Sequence, residues 1–166
     1  MPDLTKSDLI LPNPAATERL AAIVAAEARH GDAILLSGDL GAGKTHFARA
    51  FINALSDVAE EVPSPTFNLV QSYAATVEGQ PVEIAHFDLY RLKSPEETIE
   101  LGIEGAFAES ISLVEWPDRL GSLMPKQHLA VRLEIAPDGI ARRASLQGTA
   151  GWRDRIDRIA QRFAEA

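Results

Sequence analysis

The chain has 166 residues, of which 46% are hydrophobic and 24% charged, a composition that suits one globular domain over residues 1–166. Cysteine is absent, which excludes disulfides, thiolate zinc sites and cysteine nucleophiles and is compatible with a reducing cytoplasm. The net charge of −8 argues against stand-alone binding of nucleic acid. Charged residues interrupt every apolar run and no signal-like segment is visible, so we expect a cytoplasmic protein without a membrane span.

The first third of the chain predicts alternating strands and helices. Residues 4–11 contain a short apolar run that is typical of an edge strand. Asn13, followed by proline, predicts the N-cap of a helix that we expect Gly31 to end. The continuous apolar run at residues 33–37 is typical of a strand buried on both faces. After a glycine-rich turn, residues 47–55 show apolar positions at helical spacing.

The middle of the chain predicts a β-hairpin and a further helix. Residues 67–73 and 82–89 have the pattern of two strands, joined by a turn that contains Glu78 and Gly79. The sequence Ser-Pro-Glu-Glu at 94–97 has serine at the N-cap, proline at the first helical position and glutamate at the third. This arrangement predicts a capping box at the start of a helix.

The last part of the chain predicts three strands and a terminal helix. Residues 111–115 form a short apolar strand, and residues 128–146 read as a hairpin around Pro-Asp-Gly at 137–139. The helix at the end has an apolar stripe from Trp152 to Phe163, with Arg153, Asp154 and Arg155 expected on the opposite, polar face. Together the elements predict an α/β domain of the P-loop NTPase-like type, with a central mixed sheet flanked by helices.

Residues 38–45 match the phosphate-binding pattern G-x-x-x-x-G-K-[ST] in full. Glycines let the backbone turn tightly, so that its N–H groups converge on phosphate oxygens, and the following helix adds the positive end of its dipole. Lys44 would contact the β- and γ-phosphates, and the Thr45 hydroxyl would bind Mg²⁺. The motif lies between a buried strand and a helix, which is the context it requires. The sequence therefore predicts a nucleoside triphosphate site with magnesium.

Two acidic residues stand at the carboxyl ends of predicted strands. Asp88 ends one apolar run and Glu115 ends another, so either acid is a candidate partner for magnesium or an exposed strand-end residue. Thr66 follows Pro65 in the segment between the helix after the phosphate motif and the next strand, and this segment either contacts the γ-phosphate and magnesium or only stiffens a loop. His86 is interpreted as a packed or hydrogen-bonded residue that points away from Asp88. Trp116 is either a core residue or a cover close to the nucleotide.

Four motifs occur in an order and spacing that resemble the TsaE (YjeE) family. They are the phosphate motif at 38–45, Ser-Pro-Thr-Phe at 64–67, His-Phe-Asp-Leu-Tyr-Arg-Leu at 86–92 and Leu-Val-Glu-Trp-Pro at 113–117. The resemblance extends over about residues 13–143. It implies a small α/β ATPase, with ATP as substrate and Mg²⁺ as cofactor, that assists TsaD and TsaB in threonylcarbamoylating an adenosine next to the tRNA anticodon. It implies an accessory role in which tRNA is contacted only through the complex.

The resemblance also implies roles for individual residues. Lys44, Thr66, Asp88 and Glu115 would serve catalysis, and Thr45, Asp88 and Glu115 would bind the metal. His46 replaces the hydroxyl residue that the family usually has there, which puts one α-phosphate contact in doubt. No motif encodes the adenine contacts, and Thr17 is a candidate only because of its place near the start of the first helix. The predicted nucleotide-binding residues are Gly38, Asp39, Leu40, Gly41, Ala42, Gly43, Lys44, Thr45, His46, Trp116 and Thr17.

Other classes of P-loop protein remain open from the sequence. A small-molecule kinase would need an acceptor pocket and an arginine-bearing lid, and no arginine stands in a recognisable lid. A GTPase would need an Asn-Lys-x-Asp motif, and no lysine follows an asparagine. A non-catalytic nucleotide-sensing module would bind nucleotide without turnover. A hydrolysis assay with ATP and GTP, with and without partners, separates these alternatives.

Overall fold

A computed structural model describes residues 5–56 and 69–165, and these residues form a mixed β-sheet flanked by helices. The predicted fold class is confirmed. No helix within the described ranges is both long and apolar enough to cross a membrane. In chain order the strands and α-helices are β1 (Thr5–Leu11), α1 (Pro14–Ala26), β2 (Ala33–Ser37), α2 (Lys44–Leu55), β3 (Val70–Val77), β4 (Gln80–Asp88), α3 (Glu96–Glu100), α4 (Ile103–Glu109), β5 (Ile111–Glu115), β6 (Leu129–Ile135), β7 (Arg142–Gly148) and α5 (Arg153–Glu165).

The described strands form one seven-stranded sheet in the order β1-β7-β6-β2-β5-β4-β3. The central strand β2 pairs in parallel with β5 and β6, and β5 pairs in parallel with β4. The outer pairs β1–β7, β6–β7 and β3–β4 are antiparallel. The carboxyl ends of β2, β4 and β5 therefore meet at one edge of the sheet, where α/β proteins bind their ligands.

Helices cover the two faces of the sheet unequally. One core cluster joins β2 and β5 to α1, α2 and α5, with Leu36, Phe47 and Ile156 fully buried in it. The second cluster lies on the opposite face, where Leu35 and Phe87 pack against α4 and the 3₁₀ segment Pro117–Leu123. Because neighbouring strand residues point to opposite faces, β2 and β5 supply apolar side chains to both clusters.

Two local predictions, one of a helix cap and one of a hairpin turn, are confirmed by the structure. The Asn13 side chain accepts a hydrogen bond from the Ala16 N–H at 2.9 Å, as an N-cap residue does. Glu78 and Gly79 have φ values of 52° and 76°, which a two-residue hairpin turn of type I′ requires. The hairpin strand β3 runs to Val77, further than the predicted end at residue 73, and positions 67 and 68 lie outside the described residues.

Two predictions about helix ends are changed by the structure. Helix α1 ends at Ala26 with Glu27 as C-cap, and Gly31 lies in the following turn, so its predicted role was wrong. The Glu27 carbonyl accepts a hydrogen bond from Arg155, which gives that carbonyl a partner outside the helix. The capping box at residues 94–97 is formed in part, because Glu97 accepts from the Ser94 N–H at 3.4 Å while α3 begins at Glu96 with Pro95 as its N-cap.

The terminal helix keeps its predicted apolar stripe, and its predicted polar face is wrong at one position. Trp152, Ile156, Ile159 and Phe163 are buried as expected. Arg155 is also buried, contrary to the prediction, because its guanidinium pairs with Asp32 and lies over the Trp152 ring.

Candidate functional site

The glycine-rich loop connects the end of β2 to the start of α2, as the motif requires. Gly38 has a φ of 141°, and a Cβ at this position would overlap the Leu133 carbonyl oxygen. Gly43 has a φ of 108° and is the N-cap of α2. Side chains are disfavoured at both positions, so these glycines allow the loop to turn directly into the helix and to present its backbone N–H groups there.

Lys44 is buried beneath the loop although it carries a charge. Its Nζ donates to the carbonyl oxygens of Gly38 at 2.6 Å and Asp39 at 2.9 Å, and lies 4.4 Å from the centre of the Trp116 ring. Burial lowers the pKa of Lys44, while the negative charges of Glu115, Asp88 and Asp39 oppose that change. The ammonium therefore stands close to the acidic side of the site with its charge incompletely compensated.

Glu115 is the most enclosed acid of the site, with 2% of its surface exposed. Its Oε1 accepts a hydrogen bond from the Thr45 hydroxyl at 2.8 Å, and its Oε2 lies 2.7 Å from His86 Nε2. The structure thus joins the first residues of α2 to the ends of β4 and β5, across 70 positions of sequence in the case of Thr45.

Asp88 lies beside Glu115, since the two are direct partners in the parallel pairing of β4 and β5. Burial raises the pKa of Asp88, the Tyr90 N–H that donates to Oδ1 at 3.1 Å lowers it, and the charge of Glu115 raises it further. The two predicted strand-end acids therefore meet at the sheet edge that carries the phosphate loop.

His86 is a hydrogen-bonded buried residue, as interpreted from the sequence, but its predicted direction was wrong. Residues two apart on a strand share a face of the sheet, so His86 points to the same side as Asp88. Its partner, Glu115, was not identified from the sequence. One signal for this contact was available in the sequence. His86 stands two residues before Asp88, and another predicted strand ends in Glu115.

Trp116 follows the Glu115 strand end with a left-handed backbone, φ 61° and ψ 54°. Its ring pairs with Tyr90 at a centroid distance of 4.8 Å and an interplanar angle of 44°. Of the two alternatives from the sequence, the structure places Trp116 in the wall of the cleft, over the Lys44 ammonium. Its contact with a nucleotide stays a prediction.

These residues surround a cleft of about 430 Å³, a volume within the usual range of small-molecule sites. The tip of the loop forms one side and the two aromatic residues form another. Tyr90 and Arg91 were not among the predicted site residues, although both belong to the motif at 86–92. The cleft is lined by Leu40, Gly41, Gly43, Lys44, Thr45, His46, Asp88, Tyr90, Arg91, Glu115 and Trp116.

The remaining predicted residues lie at the margin of the cleft or beyond it. His46 turns toward α1, with Nε2 3.4 Å from the Pro14 carbonyl oxygen and 3.3 Å from Glu18 Oε1. Thr17 is buried in α1, and its adenine contact stays a prediction. Thr66 lies outside the described residues. The loop residues outside the cleft wall are Gly38, Asp39 and Ala42.

The oxygen atoms in the cleft suit magnesium as part of a larger shell. Thr45 supplies a hydroxyl, and Asp88 and Glu115 supply carboxylates, which are the hard donors that Mg²⁺ prefers. Within the described part of the chain, no group of three or more His, Cys, Asp or Glu side chains could hold a metal ion by itself. Magnesium bound here would therefore need phosphate and water oxygens as well, which is its usual mode in phosphate-transfer sites.

A larger groove of about 740 Å³ lies elsewhere on the surface, and Tyr73, Val82 and Ser110 are among its lining residues. It is formed by the edge strand β3 and the amino ends of β4 and β5. Ligands of open α/β sheets bind at the carboxyl ends of the strands, so the smaller cleft at the phosphate loop is the candidate site.

Comparisons with known proteins agree with the motifs in this cleft. Residues 11–144 match the family described as "Threonylcarbamoyl adenosine biosynthesis protein TsaE". Two proteins named tRNA threonylcarbamoyladenosine biosynthesis protein TsaE are similar to the chain. The one from Rickettsia felis is 42% identical over 127 residues, which cover 76% of this chain and 72% of the relative. The one from Bacillus subtilis is 35% identical over 127 residues, which cover 76% of each chain.

The fold is also similar to that of a solved structure. The crystal structure of Bacillus subtilis YdiB aligns with a TM-score of 0.72 and 24% identity, over 98% of this chain and 97% of that chain. At this identity the likeness shows the fold alone, and the family assignment depends on the sequence matches. Since the family match covers most of the chain, including the phosphate loop and both strand-end acids, the chain belongs to the TsaE family of threonylcarbamoyl adenosine biosynthesis proteins.

Proposed function

We propose that this chain is a magnesium-dependent ATP-binding protein and weak ATPase. The observation that carries the proposal is the convergence of Lys44, Thr45, Asp88 and Glu115 on one cleft at the carboxyl ends of the parallel strands. A cation that would favour phosphate lies there beside two acids that would favour a metal. This charge arrangement complements a nucleotide with its magnesium ion.

Each group would contribute a different part of the reaction. The loop N–H groups, the start of α2 and Lys44 would hold the phosphates. Thr45, Asp88 and Glu115 would hold Mg²⁺, which when bound neutralises charge that develops on the transferred phosphoryl group. Glu115 would also accept a hydrogen bond from the attacking water and orient it.

The contacts of Glu115 offer a reason for slow turnover by the isolated chain. Thr45 donates to one of its carboxylate oxygens and His86 lies within hydrogen-bond distance of the other. Each contact occupies one of the lone pairs that the carboxylate would otherwise offer to metal or water. We propose that the binding of partner proteins rearranges these contacts and so changes the rate of turnover.

Family membership supports a role in forming threonylcarbamoyladenosine next to the tRNA anticodon. In this proposal the chain assists TsaD and TsaB in the cytoplasm and is not itself the transferase. The net charge of −8 leaves binding of the polyanionic tRNA to the partners.

The direct test is ATP and GTP hydrolysis by the chain alone and with purified TsaD and TsaB. We expect slow, magnesium-dependent ATP turnover by the isolated chain, a changed rate in the complex and a preference for ATP over GTP. Nucleotide binding without turnover in the complete complex would instead support a non-catalytic nucleotide-sensing module. Equal turnover of ATP and GTP would count against the ATPase assignment.

Thr66 enters the proposal through the family motif alone. We propose that it responds to the γ-phosphate and magnesium and relays the nucleotide state to TsaD–TsaB. The affinity of TsaD–TsaB should then differ between the ATP, ADP and nucleotide-free forms, and Thr66→Ala should reduce that difference more than it weakens ATP binding. Identical partner affinity in all three wild-type states would contradict the relay.

A further inference from the structure

Among the described residues, two side chains of different kinds contact the carboxylate of Glu115. Thr45 Oγ1 donates to Oε1 at 2.8 Å, from the cleft side, where Thr45 itself lines the cavity. His86 Nε2 lies 2.7 Å from Oε2, on the side of the core. His86 is 0% exposed and is not a lining residue of the cleft, so it cannot reach a bound nucleotide.

This contact determines which nitrogen of the His86 ring carries the proton. A carboxylate oxygen accepts hydrogen bonds, so Nε2 carries the proton and donates to Oε2. The other ring nitrogen, Nδ1, is buried without a hydrogen-bond partner among the residues that the structure describes. An unpartnered buried nitrogen is unfavourable for folding, and an apolar residue would avoid that cost. The histidine is therefore poorly explained as a packing residue.

We infer that His86 is a positioning residue, which holds the Glu115 carboxylate so that Oε1 faces the cleft; the inference rests on the proposed ATPase function. Thr45 would itself bind the magnesium ion, so its contact with Oε1 lies on the side of Glu115 where the ligands would enter. The His86 contact lies behind the acid. Outer-shell hydrogen bonds of this kind orient metal-binding groups, and their loss weakens metal affinity or activity about 10- to 100-fold.

The position of His86 on β4 makes it suited to this role. It precedes Asp88 by two residues and so points to the same face, while Asp88 is the direct register partner of Glu115. Strand β4 therefore supplies both Asp88, which lines the cleft, and His86, which donates to Glu115 from the side of the core. Replacing His86 should disturb Glu115 without removing any group that contacts the nucleotide.

The test compares two substitutions of similar size. His86→Met removes the donor, whereas His86→Gln keeps an N–H group that can reach Glu115. We expect His86→Met to lower kcat for ATP at least tenfold in the complex with TsaD–TsaB, and His86→Gln to remain within threefold of wild type. Affinity for ATP in EDTA should stay within twofold in both variants, because the phosphate loop is unchanged.

A second measurement does not depend on turnover. Calorimetry with ATP in EDTA and in magnesium gives the gain in affinity that the metal provides, and His86→Met should reduce this gain at least fivefold. Ser112→Ala is the matched control. Ser112 is fully buried on β5, on the opposite face from Glu115, and its hydroxyl has no partner among the described residues. Its replacement should leave both measurements unchanged.

A double-mutant cycle that combines His86→Met with Glu115→Gln tests whether His86 acts through Glu115. In the Glu115→Gln background, His86→Met should cause no further loss of kcat or of the magnesium-dependent gain, and independent losses would overturn the inference. A His86→Met variant with the wild-type kcat and the wild-type magnesium-dependent gain would also overturn the inference. So would equal losses of melting temperature and of ATP affinity in EDTA in both His86 variants, because these would indicate a purely structural role. If the wild type binds magnesium and ATP without turnover, the ATPase proposal fails while the affinity measurement still decides the role of His86. If the wild type shows no magnesium-dependent gain in ATP affinity, both the ATPase proposal and the inference about His86 fail.

Discussion

Two clusters of buried or half-buried charge lie within the described residues, and they differ in how far protein groups compensate their charges. The first lies in the cleft and includes Lys44, Asp88 and Glu115. Burial lowers the pKa of Lys44 and raises the pKa of Asp88. Both changes favour the neutral form, so the surrounding protein compensates these charges incompletely.

The second cluster joins α1 and the following turn to α5. Arg155 donates to both carboxylate oxygens of Asp32, at 2.6 and 3.1 Å, and to the Glu27 carbonyl oxygen at 2.9 Å, while its guanidinium lies 3.5 Å from the centre of the Trp152 ring. Next to it, the hydrogen bond from Arg158 lowers the pKa of Glu27, and the same contact raises the pKa of Arg158. Both changes favour the charged form.

The direction of the pKa changes distinguishes the cleft cluster, which we propose binds ligands, from the cluster around Arg155, whose charges are paired within the protein. Groups that are destabilised in their charged form gain most from a ligand of opposite charge, such as phosphate for Lys44 or a metal ion for Asp88. Groups that are already paired, such as Glu27, have little to gain from a ligand. Substitutions in the first cluster should therefore change binding and turnover, and substitutions in the second should change stability.

The largest effect is expected when the cleft loses its cation. Lys44→Ala should weaken ATP binding about 1000-fold, because two charge-assisted hydrogen bonds to phosphate contribute roughly 4 kcal/mol together. Calorimetry measures the affinity, and a melting temperature close to wild type confirms that the fold is intact. An ATP affinity within about threefold of wild type, or about 0.65 kcal/mol, would contradict the assignment of Lys44.

The next effect should appear in the cluster around Arg155. Arg155→Leu leaves the Asp32 carboxylate buried without its partner and should lower the free energy of unfolding by about 3 kcal/mol. Urea denaturation measures this change, and ATP affinity should stay within threefold. Arg143→Leu, at an exposed position of β7, removes the same charge and is the control. Equal losses of stability in the two variants would remove the distinction between the clusters.

Loss of the cleft acid should separate turnover from binding. Glu115→Gln keeps the shape of the side chain and should lower ATP turnover in the complex about 100-fold, or about 2.7 kcal/mol, while most of the nucleotide affinity remains. Asp88→Ala should lower turnover about tenfold through the metal shell. Steady-state kinetics with TsaD–TsaB checks both. If turnover survives both substitutions, the metal site lies elsewhere.

The smallest effect concerns the half-exposed pair of Glu27 and Arg158. The folded pKa of Glu27 is lowered, so its contribution to stability is present above the unfolded value near pH 4.3 and is lost as the pH falls through the folded pKa. Glu27→Gln should lower the melting temperature by no more than about 2 °C at pH 7. The difference from wild type should disappear in acid below the folded pKa. A difference in melting temperature between Glu27→Gln and wild type that grows as the pH falls would contradict the lowered pKa of Glu27.

Much of the site could be predicted because its signals are local in sequence. The phosphate loop is eight consecutive residues whose glycines set the backbone directly, and the Asn13 cap and the Glu78–Gly79 turn depend on neighbours within three residues. The meeting of Asp88 and Glu115 could be expected from two acids at the ends of strands, since parallel strands end at one edge of the sheet.

The tertiary structure alone decided which distant side chains share the buried space. His86 and Glu115 are 29 positions apart, and Arg155 and Asp32 are 123 apart, so strand register and helix packing determine these contacts. The same contacts corrected the predicted direction of His86 and the predicted polar position of Arg155. Sequence determined the loop and the strand ends because backbone conformation depends on near neighbours. Tertiary structure determined the partners of the buried charges because those partners become neighbours only when the sheet is assembled.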